Sequence, residues 1–223
     1  REMKEHSFFA LLHRMRYIRR WGLMRNTEEE NILEHSLETA FIAHNLALLH
    51  NEWLRNLPAD CKTETSTEDN EIGEKIAATN LVPVDANRLA VLAMYHEVSE
   101  IFTGDMPTPI KYFDPQLRSL YGDIERRARN LLVGTLPVSL RDEYRQVIDE
   151  PVEESYRRLL KAADTLAAFM KCIIERRAGN DEFDDAYNSI YNKLMAMELP
   201  AVHRFMELYL PAMGCSLDEL KND

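Results

Sequence analysis

The chain has 223 residues, with 38 acidic against 27 basic side chains and a formal net charge of −11. That length buries one substantial core, and the composition is that of an ordinary globular chain, so a single domain is the default. The acidic balance argues against a surface that wraps duplex nucleic acid, which needs a basic excess on at least one face, while a small anion held by a few arginines stays allowed. The three cysteines, Cys61, Cys172 and Cys215, are widely spaced and lack a CxxC pairing. Neither a disulfide framework nor a thiolate zinc site is indicated, and a reducing compartment fits best. No apolar run approaches the ~20 residues of a membrane span, and Arg1 to Phe9 lack the apolar stretch of a secretory signal. A cytoplasmic protein without a membrane partner is expected. The chain starts at Arg1 rather than Met, so native residues are expected ahead of it.

Only seven glycines are present, strand-like alternation is scarce, and apolar residues recur at helical spacing in nearly every long segment. Together these predict an all-α domain. In chain order the pattern predicts helices at roughly 5–20, 34–55, 85–102, 114–133, 138–147, 153–178, 182–196 and 198–210. Two connecting stretches stand out. Residues 56–80 are rich in Thr, Glu, Asp and Asn and poor in large apolar side chains, which predicts a mobile surface insertion over at least the first part. Residues 103–109, Thr-Gly-Asp-Met-Pro-Thr-Pro, end a helix and stiffen the backbone beyond it. A rigid loop directly after a histidine-bearing helix is a good place for a site.

Some polar residues interrupt the apolar stripes. Leu89, Leu92, Ala93 and His96 share a helical face, and Glu100 lies one turn further, so a stripe that begins apolar ends in an imidazole and a carboxylate. Taken alone, a histidine there is more often a satisfied core residue than a ligand, and Glu97 or Glu100 reads also as a solvated side chain near a helix end. Asp164 follows Leu160 by one turn and adjoins Ala163 and Ala167, so it should point inward. A buried, unpaired carboxylate costs several kcal/mol, and the segment leaves a metal and an ion pair with a nearby Lys or Arg equally open. His35 begins an amphipathic helix that also carries His44 and His50, and spacing does not single it out. A bundle can nonetheless bring inward positions of separate helices into one coordination shell. Two imidazoles and two carboxylates suit a first-row divalent ion such as Mn, Fe, Co, Ni or Zn, and hydrolysis requires open positions for water and substrate.

The combination of His35, the dyad His96-Glu97 and the distant Asp164 resembles the H…HD…D metal signature of the HD-domain superfamily. Arg20-Trp21-Gly22-Leu23-Met24-Arg25-Asn26, Glu34-His35-Ser36, Met94-Tyr95-His96-Glu97-Val98-Ser99-Glu100, the run from Thr103 to Phe113 and Lys161-Ala162-Ala163-Asp164 are similar, in the same order, to bacterial 5'-deoxynucleotidases of the YfbR type. The similarity spans nearly the whole chain except 56–80. It implies a single-domain HD-type helical bundle that hydrolyses 2'-deoxynucleoside 5'-monophosphates and works as a homodimer.

Residue by residue, the resemblance implies one divalent transition-metal ion held by His35, His96, Glu97 and Asp164. Water made more acidic by the ion would attack phosphorus in line as the 5' oxygen leaves. It further implies Glu100 and Asp105 as the acid–base pair, Glu100 orienting or deprotonating the water and Asp105 protonating the leaving oxygen or fixing the sugar. Arg20, Thr108 and Lys111 would contact the substrate, the two cations neutralising its phosphate, and Trp21 would leave no room for a 2'-hydroxyl. Set against these roles are ordinary ones: a surface arginine, a surface lysine and a core tryptophan.

One residue departs from the family pattern, which has Asp where this chain has Glu97. The extra methylene moves the oxygens by about 1.5 Å, whereas ligand distances tolerate only about ±0.2 Å, so the shell must adjust or lose a ligand. Two other readings are therefore carried along. One is an HD-type hydrolase of nucleoside triphosphates or cyclic diesters, and the other a nucleotide-binding regulatory protein whose dyad no longer supports turnover.

Overall fold

The structure, a computed structural model, describes residues 3–57, 82–107, 114–149, 151 and 153–221. In chain order the helices are α1 (Phe8–Leu12), α2 (Ile32–Arg55), α3 (Ala86–Tyr95), α4 (Glu100–Thr103), α5 (Pro115–Gly134), α6 (Arg141–Ile148), α7 (Glu154–Arg177), α8 (Asp184–Met195) and α9 (Pro200–Tyr209). Short 3-10 turns follow α1 at His13–Tyr17 and precede α6 and α8. Among the described residues the only β pairing is an isolated antiparallel bridge between Arg19 and Asn31. The all-α, single-domain expectation therefore holds. Nearly all of the stretch 56–80 falls outside the described residues. No described helix is long and apolar enough to cross a membrane.

Local chemistry explains where the helices start. The Asn31 side chain accepts from the backbone N–H groups of Leu33 and Glu34, while Glu34 reaches back to the Asn31 N–H. This capping box satisfies donors orphaned at a helix start, and it opens α2 slightly earlier than the spacing predicts. Asp85 caps α3, Asp114 caps α5, and Pro115 and Pro200 sit in first turns where a missing N–H costs nothing.

Two expected helices differ from the structure. The helix expected over 5–20 ends at Leu12, passes through the 3-10 turn and becomes extended at Ile18. There Arg20 N–H donates to Glu30 O at 2.9 Å and Ile32 N–H to Ile18 O at 3.0 Å, so pairing with residues 30–32 replaces the helical ladder. The helix expected over 85–102 breaks after Tyr95. His96 Nδ1 lies 2.6 Å from Ala93 O, occupying the carbonyl that a regular helix would offer to the Glu97 N–H. A side chain inserted into the ladder in this way interrupts a helix, and the next turn is closed by three-residue bonds such as Val98 N–H to Tyr95 O.

Two apolar clusters result. The larger joins α2, α3, α7, α8 and α9 through Leu46, Leu89, Leu92, Leu159, Leu166, Phe169, Leu194 and Val202. The smaller gathers Phe8, Met15, Ile32, Val98, Leu132, Leu136 and Ile148. Each fully buried Leu, Ile or Phe contributes about 1.5–3 kcal/mol relative to exposure. His35 lies between Ile32 of one cluster and Ala40 of the other, and His96 between Ala93 and Val98. Both imidazoles thus occupy the seam between two greasy masses, where a polar atom without a partner is costly.

Candidate metal centre

Four side chains from three separate segments meet at that seam. One ligand atom each from His35, His96, Glu97 and Asp164 lies within 4.8 Å of the others. His35, in the first turn of α2, is wholly buried, with Nε2 3.2 Å from Asp164 Oδ1 and 3.4 Å from Thr39 Oγ1. The His35 and His96 ring centroids are 5.4 Å apart. Because His96 Nδ1 must carry the hydrogen shared with Ala93 O, its Nε2 lone pair is free to accept. That nitrogen lies 3.4 Å from Glu97 Oε1 and 4.0 Å from Asp164 Oδ1, is buried, and has no hydrogen-bond partner.

The charges around the cluster are arranged for a cation. Burial holds His96 below its ordinary value despite Glu97 and Asp164, keeping the imidazole neutral, the form that ligates. Burial opposes ionisation of Asp164, yet the Lys161 ammonium at 2.7 Å and the two histidines keep its carboxyl well below the usual range. Burial also disfavours charged His35, but the carboxylates of Asp164 and Glu30 beside its two nitrogens outweigh it and raise the ring. Burial, together with Glu97 and Asp105, pushes the Glu100 carboxyl up to about 10. Asp105 is raised by burial and by Glu97, against the pull of Arg20 and the adjoining Trp21 backbone.

Arg20 extends the site beyond the four ligating groups. Burial works against its charge, yet Glu30, Asp164, Glu97 and Asp105 together hold the guanidinium protonated. Trp21 adjoins it, the indole Nε1–H donating to Glu30 Oε2 at 2.9 Å and the ring tilted against Phe183. The expected Glu100, Asp105, Arg20 and Trp21 thus gather around the cluster. Thr108 and Lys111 lie outside the described residues.

Glu30 escapes the sequence reading. It closes an acidic run, Glu28-Glu29-Glu30, that reads as a solvated loop, and nothing in the run marks the third carboxylate as buried. Lys171 and Glu175 escape it too, although a signal exists. They continue the stripe of Asp164 and Ala167 on α7, so the spacing that turns Asp164 inward turns them inward as well.

The donor set fits a divalent transition ion. Two neutral-capable nitrogens and two carboxylates converge, and the orphaned His96 Nε2 is aimed among them with its other nitrogen fixed by a carbonyl, the second-sphere arrangement that orients a ligating imidazole. Glu97 reaches the group in spite of its extra methylene, and it does so from the tightened turn rather than from a regular helix.

A family model described as 5'-deoxynucleotidase YfbR-like matches residues 7–67 and 72–213. The chain belongs to this family. It is 39% identical over 222 residues to the 5'-deoxynucleotidase YfbR of Escherichia coli K12, an alignment covering 99% of this chain and 98% of that one. Among solved structures, an HD-domain phosphohydrolase from Listeria innocua matches with a TM-score of 0.69 at 21% identity, covering 99% of this chain and 94% of that one. The cyanophage S-2L HD phosphohydrolase, bound to dA and one catalytic Zn2+ ion, matches with a TM-score of 0.57 at 18% identity, covering 96% and 98%. These structural likenesses place the helical bundle among HD-domain folds.

Proposed function

We propose that the chain is a metal-dependent phosphomonoesterase that hydrolyses 2'-deoxynucleoside 5'-monophosphates to deoxynucleoside and phosphate. The observation that carries this reading is the convergence of His35, His96, Glu97 and Asp164 beside Arg20 and Trp21 in a chain 39% identical along its length to a 5'-deoxynucleotidase. His35, His96, Glu97 and Asp164 would hold one divalent ion, Co, Mn, Zn, Fe or Ni. Bound there, it supplies Lewis acidity that polarises the phosphoryl group and makes a water more acidic.

The protein's own groups do the rest. Arg20, held charged by the carboxylates around it, offers the phosphate a bidentate partner. Glu100, whose Oε2 is buried and unpartnered, orients the attacking water by hydrogen bonding. Asp105, raised above its ordinary value, donates to the leaving 5' oxygen or fixes the sugar. The indole of Trp21 closes the space a 2'-hydroxyl would need. Thr108 and Lys111 complete the substrate contacts on the strength of the resemblance.

Phosphate release from deoxy- and ribonucleoside monophosphates, across several divalent metals, tests the reading. Phosphate from the deoxy series is expected, and pyrophosphate released from triphosphates instead would sink it. The regulatory reading predicts no turnover until Glu97→Asp creates it, whereas activity of the present chain with added metal removes that reading.

The chain would work in the cytoplasm, with Cys172 and Cys215 free, and without nucleic-acid polymers given its net charge of −11. A homodimer is part of the proposal. Leu33, Leu37, Phe41 and Leu48 lie exposed along one face of α2, an apolar stripe of the kind a symmetric partner covers. Light scattering should give twice the chain mass, and Phe41→Glu should halve it.

A further inference from the structure

Glu30 is the last residue before the cap of α2, and its side chain is only 11% exposed. It stands between three groups with different tasks. Oε2 accepts the indole N–H of Trp21 at 2.9 Å, Arg20 Nη1 lies 3.4 Å from both carboxylate oxygens, and Oε1 sits 3.5 Å from His35 Nδ1. One carboxylate therefore adjoins a cluster imidazole, the guanidinium and the indole at once.

Trp21 needs such a hold. Its φ of 58° is left-handed, a conformation that costs a bulky side chain about 1–3 kcal/mol and persists only where the surroundings over-determine it. Packing on Phe183, the Asn26 side-chain bond to Trp21 O and the Asp105 carboxylate against the Trp21 backbone contribute, but it is the Glu30 bond that ties the indole itself to the cluster.

His35 Nδ1 is buried without a hydrogen bond of good geometry. While Nε2 shares its surroundings with Asp164 and Thr39, the ring hydrogen can reside on either nitrogen. A cation that takes the Nε2 lone pair leaves the hydrogen on Nδ1, where Glu30 is the acceptor at hand. The 3.5 Å approach then tightens to a charge-assisted bond, and whatever displaces Glu30 also displaces the indole and guanidinium tied to it.

We infer that Glu30 is a positioning residue that couples cation binding at His35 to the placement of Trp21 and Arg20, so that the pocket selecting the deoxy sugar is completed only when the cation is present. The inference rests on the reaction proposed above, which names the substrate class.

The test titrates Zn2+ into the full chain carrying Trp53→Phe. Trp21 is then the one remaining tryptophan of two, and Trp53 lies against His50 on α2, outside the cluster. Calorimetry reads binding, Trp21 emission reads the coupling, and phosphate release from dAMP and AMP reads selectivity. Trp21 emission should shift with the calorimetric midpoint. Adding Glu30→Gln, similar in size but uncharged, should weaken Zn2+ binding by about 10–100-fold and abolish the shift at saturating Zn2+. It should also lower the preference for dAMP over AMP by about tenfold.

An undiminished shift in Glu30→Gln, or calorimetric Zn2+ binding with a silent Trp21 in the parent, overturns the coupling. The parent titration keeps the idea falsifiable even if Glu30→Gln does not fold. A coupled shift without phosphate from either nucleotide overturns the reaction instead and leaves the coupling standing.

Discussion

Asp164 and Glu175 lie on the same face of α7, three turns apart, and both carboxylates are withdrawn from solvent, yet their surroundings are built in opposite ways. Around Glu175, wholly buried, donors converge. Lys171 donates to it, as do Thr27 Oγ1 at 2.7 Å, Asn180 Nδ2 at 2.8 Å, Thr27 N–H at 2.9 Å and Glu28 N–H at 3.2 Å. Lys171 also donates to Glu28 O, and only the far oxygen of Asn180 is left over. Asp164 is paired with Lys161 at 2.7 Å and approached by His35 Nε2 at 3.2 Å, but the cluster it joins is not closed, with His96 Nε2 and His35 Nδ1 buried and without a hydrogen bond, as is Oε2 of the nearby Glu100. Protein interiors rarely tolerate such atoms without a reason. A saturated polar knot holds structure, whereas one with spare nitrogen and oxygen atoms has donors that could ligate a cation.

That contrast can be broken by mutation. Asp164→Ala should lower kcat/KM by at least about 10³-fold, the equivalent of several kcal/mol of lost Lewis-acid stabilisation. With the cation removed from both proteins, it should move Tm by no more than about 3 °C, roughly 1 kcal/mol in a chain of this size. Glu175→Ala should do the opposite. It leaves the Lys171 ammonium buried and uncompensated, at about 3–5 kcal/mol, so Tm should fall by about 10 °C while turnover in the cold persists. Lost turnover at an unchanged Tm in Glu175→Ala would erase the distinction.

A chelator sharpens it further. A cation at a hundred times its Kd adds about 2.7 kcal/mol, so chelation should lower the parent Tm by about 5–10 °C and leave that of Asp164→Ala in place. The smallest effect is on pH. Burial opposes ionisation of Glu175, but Lys171, Asn180 and Thr27 hold its carboxyl well below the usual range. A depressed folded value means its stabilisation is fully present above the ordinary carboxylate pKa of about 4.3 and is lost as pH falls through the folded value. The urea stability gap between parent and Glu175→Gln should therefore be narrower at pH 3 than at pH 7.

The helices were legible because one apolar stripe per helix survives in the letters, and His96 and Asp164 because each interrupts such a stripe. The break after Tyr95 was not legible. No Gly or Pro marks it, and its cause is an imidazole competing for the Ala93 carbonyl, which only three-dimensional proximity reveals. His35 drew its meaning from the family pattern rather than from spacing, since His50 on the same helix is equally buried, with Nε2 3.0 Å from Val82 O. Glu30 stayed hidden for a related reason. What buries it is the pairing of residues 18–20 with 30–32, a non-local contact that helical periodicity does not encode.

Because α7 carries Asp164 near its middle and Glu175 near its end, it serves as a gauge for the loop that runs beside it. The tip of that loop, at Thr27, is pegged to the Glu175 mark, and its root, at Arg20 and Glu30, to the zone of the Asp164 mark, about 16 Å back along the axis. A single residue inserted between the two marks would advance one by about 1.5 Å and swing it by about 100° relative to the other. The span between Asp164 and Glu175 should therefore tolerate side-chain exchange far better than any change of length.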